Sequence, residues 1–380
     1  MPTRLALLAL VSMTAALVAG CSRADSAPDR VIVGAVEDAA KSGPADAKMA
    51  LAREAGYRAV VLSAVWTPPL EAPRPEEVTA LQNAIIAAAT NGIRPIVAVY
   101  SFSSVTPLTP EARAQFAAYA ASIPRDIPAV RDIIVGNEPN LNLFWMPQFG
   151  PDGSNAAASA YLELLAESYD ALKAVSPDIN VIGGSLAARG SDDPAAARPT
   201  HSPTRFIADL GAAYRASGRT TPVMDMFSLH PYPENSSVPP TLAHPSSTSI
   251  GLADYDKLVA SLGAAFDGTA QQGSSLPIAY GEYGLQTTIP PAKAGAYTGD
   301  EQPSVHPIDE AQQAARYADA IRLAACSPTV RMLFFFHVSD EPQLERLQTG
   351  VFYADDTPKS SLEAVAEAAE KAREGDTDCG

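Results

Sequence analysis

The chain has 380 residues, 47% of them hydrophobic, and a formal net charge of −16. That apolar content is enough for a large core, and the acidic balance excludes the basic surface that a nucleic-acid partner selects. The 5 histidines and 3 cysteines lack metal-ligand spacing, so no zinc site is expected, and the two-carboxylate chemistry read below needs no metal or organic cofactor.

Residues 1–20 read as a targeting segment. Arg4 supplies a positive charge, Leu5 to Val18 form an apolar run too short for a comfortable membrane span, and Val18-Ala19-Gly20-Cys21 closes it. The small residues before Cys21 resemble the bacterial lipobox. The resemblance implies cleavage before Cys21 and lipid attachment to its sulfur; an ordinary secretion signal with a chance cysteine is the alternative. Residues 21–30 would then be a polar tether. The expected location is extracytoplasmic, held at the cell membrane through the lipid alone, or secreted if Cys21 carries none. Export permits disulfides, and Cys326 and Cys379 remain as one candidate pair.

From Val31 onward, strand-like and helix-like segments alternate. Val31 to Val36 is the first β-branched run, and a helix follows from Asp46 to Ala55, stopped by Gly56. Ala59 to Trp66 and Pro95 to Tyr100 read as the next strands, with a helix from Glu76 to Thr90 between them. Thr109-Pro110-Glu111 then opens a helix with a hydroxyl cap, a proline in the first turn and an acid at the positive end of the dipole. Asp132 to Gly136, Asn180 to Gly184, Met224 to Leu229, Pro277 to Tyr280 and Val330 to Val338 are the remaining strands. Their helices are Ala156 to Val175, Arg205 to Ala216, Ala253 to Leu262, Asp309 to Ala325 and Ser361 to Ala372. Eight strand-then-helix units predict a parallel (β/α)8 barrel, a single α/β domain over residues 31–380. The rival open sheet lacks a Gly-x-Gly-x-x-Gly turn after the first strand. Helix-to-strand links are short, whereas several strand-to-helix links are long: Asn140 to Ser154, Pro231 to Gly251, Leu285 to Ile308 and Ser339 to Lys359. In a barrel the long ones all wall a cleft on one face.

Two strands deliver a carboxylate to that face. Ile133-Ile134-Val135-Gly136-Asn137-Glu138 ends the fourth, and Ile278-Ala279-Tyr280-Gly281-Glu282 ends the seventh. Two facing carboxylates are the minimal equipment for cleaving a glycosidic bond. Asn137-Glu138-Pro139 and Glu282 resemble the signature of glycoside hydrolase clan A, the retaining barrel glycosidases. The resemblance implies that Glu138 is the acid/base, Glu282 the nucleophile, and Asn137 a ligand of the sugar 2-hydroxyl. His230-Pro231-Tyr232 resembles the clan's His-x-Tyr, with the tyrosine hydroxyl approaching the nucleophile and the histidine close to the reactive sugar.

Departures from the cellulase-like pattern stand at three strand ends. Val65-Trp66 occupies the place of an arginine, Tyr100-Ser101 that of a histidine, and Phe334-Phe335-Phe336-His337 that of a tryptophan floor. They leave the sugar undetermined. Trp145, in a loop with Phe144 and Phe149, is expected to be a platform for a sugar ring. Trp66 is either a platform or core packing, and His337 either a substrate ligand or a core histidine. Glu37-Asp38 and Asp340-Glu341 are rival carboxylates that either line the cleft or cap helices.

The expected activity is hydrolysis of an oligo- or polysaccharide, or of another β-linked glycoside, with retention. A transglycosidase with the same residues and a barrel that binds glycan without cutting it are the alternatives.

Overall fold

The computed structural model describes residues 30–380; the targeting segment, Cys21 and the tether as far as residue 29 lie outside it. Eight parallel strands pair in sequence order and close on themselves. They are β1 (Ile32–Val36), β2 (Ala59–Val65), β3 (Arg94–Tyr100), β4 (Asp132–Val135), β5 (Asn180–Ala187), β6 (Met226–His230), β7 (Ile278–Tyr283) and β8 (Val330–Phe336). A helix follows each: α1 (Ala45–Glu54), α2 (Pro75–Thr90), α3 (Pro110–Asp126), α4 (Ala156–Val175), α5 (Pro203–Ser217), α6 (Tyr255–Phe266), α7 (Glu310–Ala325) and α8 (Leu362–Glu374). Pairing of Ile32 with Met332 and of Val36 with Phe336 shuts the ring. The chain is thus a (β/α)8 barrel, as the alternation predicts.

Local chemistry starts the helices where the sequence places them. The Thr109 hydroxyl accepts from Ala112 N at 3.2 Å ahead of α3, and Asn155 Oδ1 accepts from Ala158 N at 3.0 Å ahead of α4. Asp309 and Gln312 form a reciprocal capping box at α7. Gly218 and Gly375 end α5 and α8 in the left-handed conformation. The largest difference lies at α6. Leu252–Asp254 form a 3-10 turn before it, and the helix itself runs from Tyr255 to Phe266. The Asp254 carboxylate there caps Gly251 N and His244 N, which delays the helix start.

Strand residues alternate between two apolar clusters. Val36, Val61, Ile96, Ala98, Ile134, Ile182, Met226, Ala279, Met332 and Phe334 fill the barrel interior. The intervening residues face the helices in a much larger cluster. At the lower end, Arg94 grips Asp132 with two bonds of 2.7 Å, and Asn180 Nδ2 reaches the same carboxylate at 2.9 Å. At the upper end, Lys359 and Asp340 form a fully buried pair at 2.8 Å. Lys359 Nζ also donates to Thr287 Oγ1 at 2.7 Å, which ties the loop after β7 to the loop after β8. Cys326, at the end of α7, is bonded to Cys379, beyond α8, with their Cα atoms 5.5 Å apart.

Candidate active site

Two strand tips build the site, and each departs from regular strand geometry. At β4, Gly136 has φ +88° and Glu138 φ +39°. A Cβ at Gly136 would lie 2.8 Å from the Tyr161 ring, so both the conformation and the space require glycine. The Tyr161 hydroxyl donates to Val135 O at 2.7 Å and accepts from Gly184 N at 2.8 Å. Glu138 N donates to Ser185 O at 2.8 Å, and the Asn140 side chain bonds both N–H and C=O of Ala187. The loop after β4 is thereby clamped to the end of β5.

At β7 the pairing slips. Tyr280 pairs with Leu333, but Tyr283 pairs with Phe335, so three steps on β7 match two on β8. This is a bulge. Tyr280 and Tyr283 both join the outer, helix-facing cluster, and Gly281 and Glu282 are displaced between them. A Cβ at Gly281 would stand 2.5 Å from Ser228 Oγ and 2.8 Å from His230 Nε2. Glycine therefore lets the histidine of β6 lie against β7.

His230 joins the two carboxylates. Its Nδ1 is 3.3 Å from Glu138 Oε1 and 3.7 Å from Glu282 Oε1, so those oxygens lie no more than about 7 Å apart. The Tyr232 hydroxyl donates to Glu282 Oε2 at 3.2 Å. Glu138, His230, Tyr232 and Glu282 line one cleft of about 580 Å³. Arg189, also on its wall, donates to Tyr232 O at 2.6 Å.

Burial dominates the electrostatics. It raises Glu282 above the usual carboxylate range; His230 pulls the other way, the Glu138 charge adds to the rise, and the Tyr232 donor also opposes it. Burial alone would depress His230, but Glu282 and then Glu138 outweigh it and raise the imidazole. Burial raises the Tyr232 hydroxyl far up, with both carboxylates adding, so it stays a donor. Among the described residues, no three His, Cys, Asp or Glu side chains converge as metal ligands would.

Other sequence candidates fall elsewhere. Asn137 is half-buried beside Glu138 but is not among the residues lining the cleft. Trp66 is 0% exposed, edge-on to Phe116, with its indole N–H donating to Leu70 O at 2.8 Å. It shares the outward parity of Val60, Leu62 and Ala64, so it belongs to the core and not to a sugar platform. Trp145 is 3% exposed and packs edge-on to Tyr161 behind the loop, which corrects the platform expectation. Its neighbour Phe144 lines the cleft instead.

His337, with φ +77°, ends β8 early and lies 3.5 Å from Glu341 Oε2. It is absent from the cleft lining, although the Glu282 charge is among those that act on it. Burial would lower His337, but Glu341 together with Glu37 raises it. Glu341 itself falls to about 2: burial opposes this, whereas His337 and the Leu347 N–H favour it. The other rival carboxylates also serve the scaffold. Glu37 accepts from Val338 N and Ala39 N, Asp38 from Ser63 N, and Asp340 holds Lys359.

No protein-family model matches the sequence. No curated protein matches it either. Solved structures do. A family 39 glycoside hydrolase from Bacteroides cellulosilyticus WH2 is similar with a TM-score of 0.63 and 19% identity, over 90% of this chain and 64% of that one. The chain thus spans less than two thirds of that protein. A GH5_18 structure from Streptomyces cattleya in complex with GlcNAc gives 0.60 at 15% identity, over 91% of this chain and 81% of that one. A GH39 β-xylosidase from Caulobacter crescentus gives 0.55 at 16%, over 89% and 70%. At such identities the likeness is one of fold.

Proposed function

We propose that the chain is a retaining glycoside hydrolase acting on a β-linked glycan or glycoside. The observation that carries this reading is the pairing of Glu138 and Glu282 around His230 at the mouth of the barrel. Retention uses carboxyl groups about 5–5.5 Å apart and inversion about 6.5–9.5 Å. The bound of about 7 Å on the two Oε1 atoms admits the first and leaves only the bottom of the second. The similar solved structures named as glycoside hydrolases support the same reading.

In this mechanism the Glu282 carboxylate attacks the anomeric carbon as the glycosidic bond breaks. Glu138 gives its proton to the departing oxygen. Glu138, now ionised, takes a proton from water; the water oxygen bonds to the anomeric carbon and expels Glu282. Tyr232 is assigned to orient the nucleophile, which fits its hydroxyl donor on Glu282 Oε2. His230 is assigned to hold both carboxylates in register; Asn137, beside Glu138 but outside the cleft lining, keeps its assignment to the sugar 2-hydroxyl on the resemblance of Asn137-Glu138-Pro139 alone.

Intact mass spectrometry after incubation with a panel of 2-deoxy-2-fluoro glycosides tests the assignment, because fluorine at C2 slows breakdown of the glycosyl-enzyme. A sugar adduct mapped to Glu282 is expected; an adduct on another residue overturns the roles. Export with a lipid on Cys21 belongs to the same reading and rests on Val18-Ala19-Gly20-Cys21. Expressed in a bacterium, the Cys21→Ser form should leave the membrane fraction; one that stays there removes the anchor.

A further inference from the structure

Seven large hydrophobic side chains stand well exposed among the described residues, and four of them belong to two neighbouring loops. Phe102 and Leu108 lie after β3; Leu143 and Met146 lie after β4, with exposures between 39% and 57%. The loops touch. Ser103 N donates to Leu143 O at 3.1 Å, Met146 N donates to Thr106 Oγ1 at 3.2 Å, and the Phe102 and Phe144 rings stack at 5.6 Å. Single exposed apolar residues are ordinary on a protein surface, whereas a contiguous lip at the edge of a cleft marks a binding surface. This one is continuous with the site, because Leu141, Leu143 and Phe144 line the same cleft as the two carboxylates.

Its position says what it meets. Glu138, assigned as the acid, must stand beside the leaving oxygen, and Leu141 to Phe144 follow it on the same loop. The side chains that this loop adds beyond Glu138 therefore border the leaving group. Leu141, Leu143 and Phe144 carry no donor or acceptor. These three side chains offer no partner to the hydroxyls of a second sugar, which would have to reach Arg189, Glu234 or Asn235 elsewhere on the lining, whereas an alkyl or aryl group gains by burial against them directly.

We propose that the leaving-group side of the cleft takes an apolar aglycone, so that the substrate is a glycoside of an alkyl or aryl alcohol and not a chain of sugars. The inference rests on the hydrolase reading above. A panel of p-nitrophenyl β-glycosides first identifies the glycone that is turned over. Methyl, hexyl and octyl glycosides of that sugar, kept below micelle concentrations, are then compared with its disaccharide. The expected result is that kcat/KM rises on the order of ten-fold or more from methyl to octyl and exceeds that of the disaccharide. In a Phe102→Ser/Leu143→Ser variant the octyl-to-methyl ratio should fall towards one. Turnover with a flat series, a preferred disaccharide, or a ratio untouched by the substitutions overturns the aglycone proposal alone. No turnover of any p-nitrophenyl glycoside overturns the hydrolase reading and this inference with it.

Discussion

Tyr232 donates its hydroxyl to Glu282, and that bond favours the ionised carboxylate. Burial works against ionisation, so the two influences meet on the group proposed as nucleophile, which in that role must be charged to attack. The sign of the pH dependence follows. A nucleophile whose ionisation is held above the usual carboxylate range loses activity as pH falls through that raised value. Tyr232→Phe removes a contribution that lowers it, so the acid limb of the kcat/KM profile should move further up. At the optimum the rate should fall on the order of ten-fold, the usual cost of a lost bond to a charged group. An acid limb that stays in place or moves down would show that Glu282 does not set it. Glu282 was legible in sequence because it stands near the end of a strand at a definite ordinal place, whereas Tyr232 was found through the resemblance of His230-Pro231-Tyr232 to the clan's His-x-Tyr. Trp145 was misread, and Trp66 left open, for a related reason. A strand's alternation decides which face a side chain takes, and Trp66 falls in step with Val60, Leu62 and Ala64, all of them packed towards the helices. Parity along β2 was available in the sequence and decides for packing between the two readings left open. Trp145 lies in an irregular loop, where no periodicity tells which of two adjacent aromatic residues turns inwards.

The elements were legible wherever one local signal starts or stops them. Caps at Thr109, Asn155 and Asp309 depend on a side chain reaching its own backbone, which a sequence states directly. Bulges depend on two strands at once and were not legible. The reading ended the seventh strand at Tyr280, whereas the structure continues it to Tyr283 through the slip that accommodates Gly281 and Glu282. It ended the fifth at Gly184, and the structure carries it to Ala187 past Ser185 at φ +48°. Both irregularities lie at the upper rim. The first places Glu282, and the second supplies the carbonyl that holds Glu138 N. Where strand regularity fails, the chain re-aims a side chain that simple alternation would send elsewhere. The buried Lys359–Asp340 pair is a further non-local feature. Burial lowers Lys359 and raises Asp340, so each disfavours its own charge, and their 2.8 Å contact with Thr287 close by keeps the pair in place. It joins the two loops that follow β7 and β8, and so braces the side of the mouth that carries Glu282.

At the scale of the whole molecule, a closed barrel has no free sheet edge, and its seam is the pairing of first strand with last. Whatever holds β8 and α8 in place therefore holds the ring shut. Apolar packing contributes through Val365, Ala369 and Ala372, which are buried on the inner face of α8. The Cys326–Cys379 bond adds a covalent closure around this last unit, spanning 53 residues of sequence that include all of β8 and α8. In a chain-entropy description, a loop of that length is worth about 4 kcal/mol, because the cross-link removes open conformations from the unfolded chain. The stability lost on removing native disulfides is commonly about 2–5 kcal/mol. Cys379→Ser should accordingly lower the denaturant midpoint by the equivalent of about 2–4 kcal/mol. Cys379 lies beyond the last helix and far in sequence from the cleft residues, so kcat/KM under native conditions should hold. Hydrogen exchange should quicken first in α8 and the chain after it, since these lose their tie to α7 while the other seven units keep theirs. A free-thiol count gives the complementary reading. Unfolded without reductant, a form beginning after Cys21 should show no titratable thiol, and two after reduction. Two thiols before reduction, or a Cys379→Ser midpoint equal to the parent's, would mean that packing alone closes the barrel.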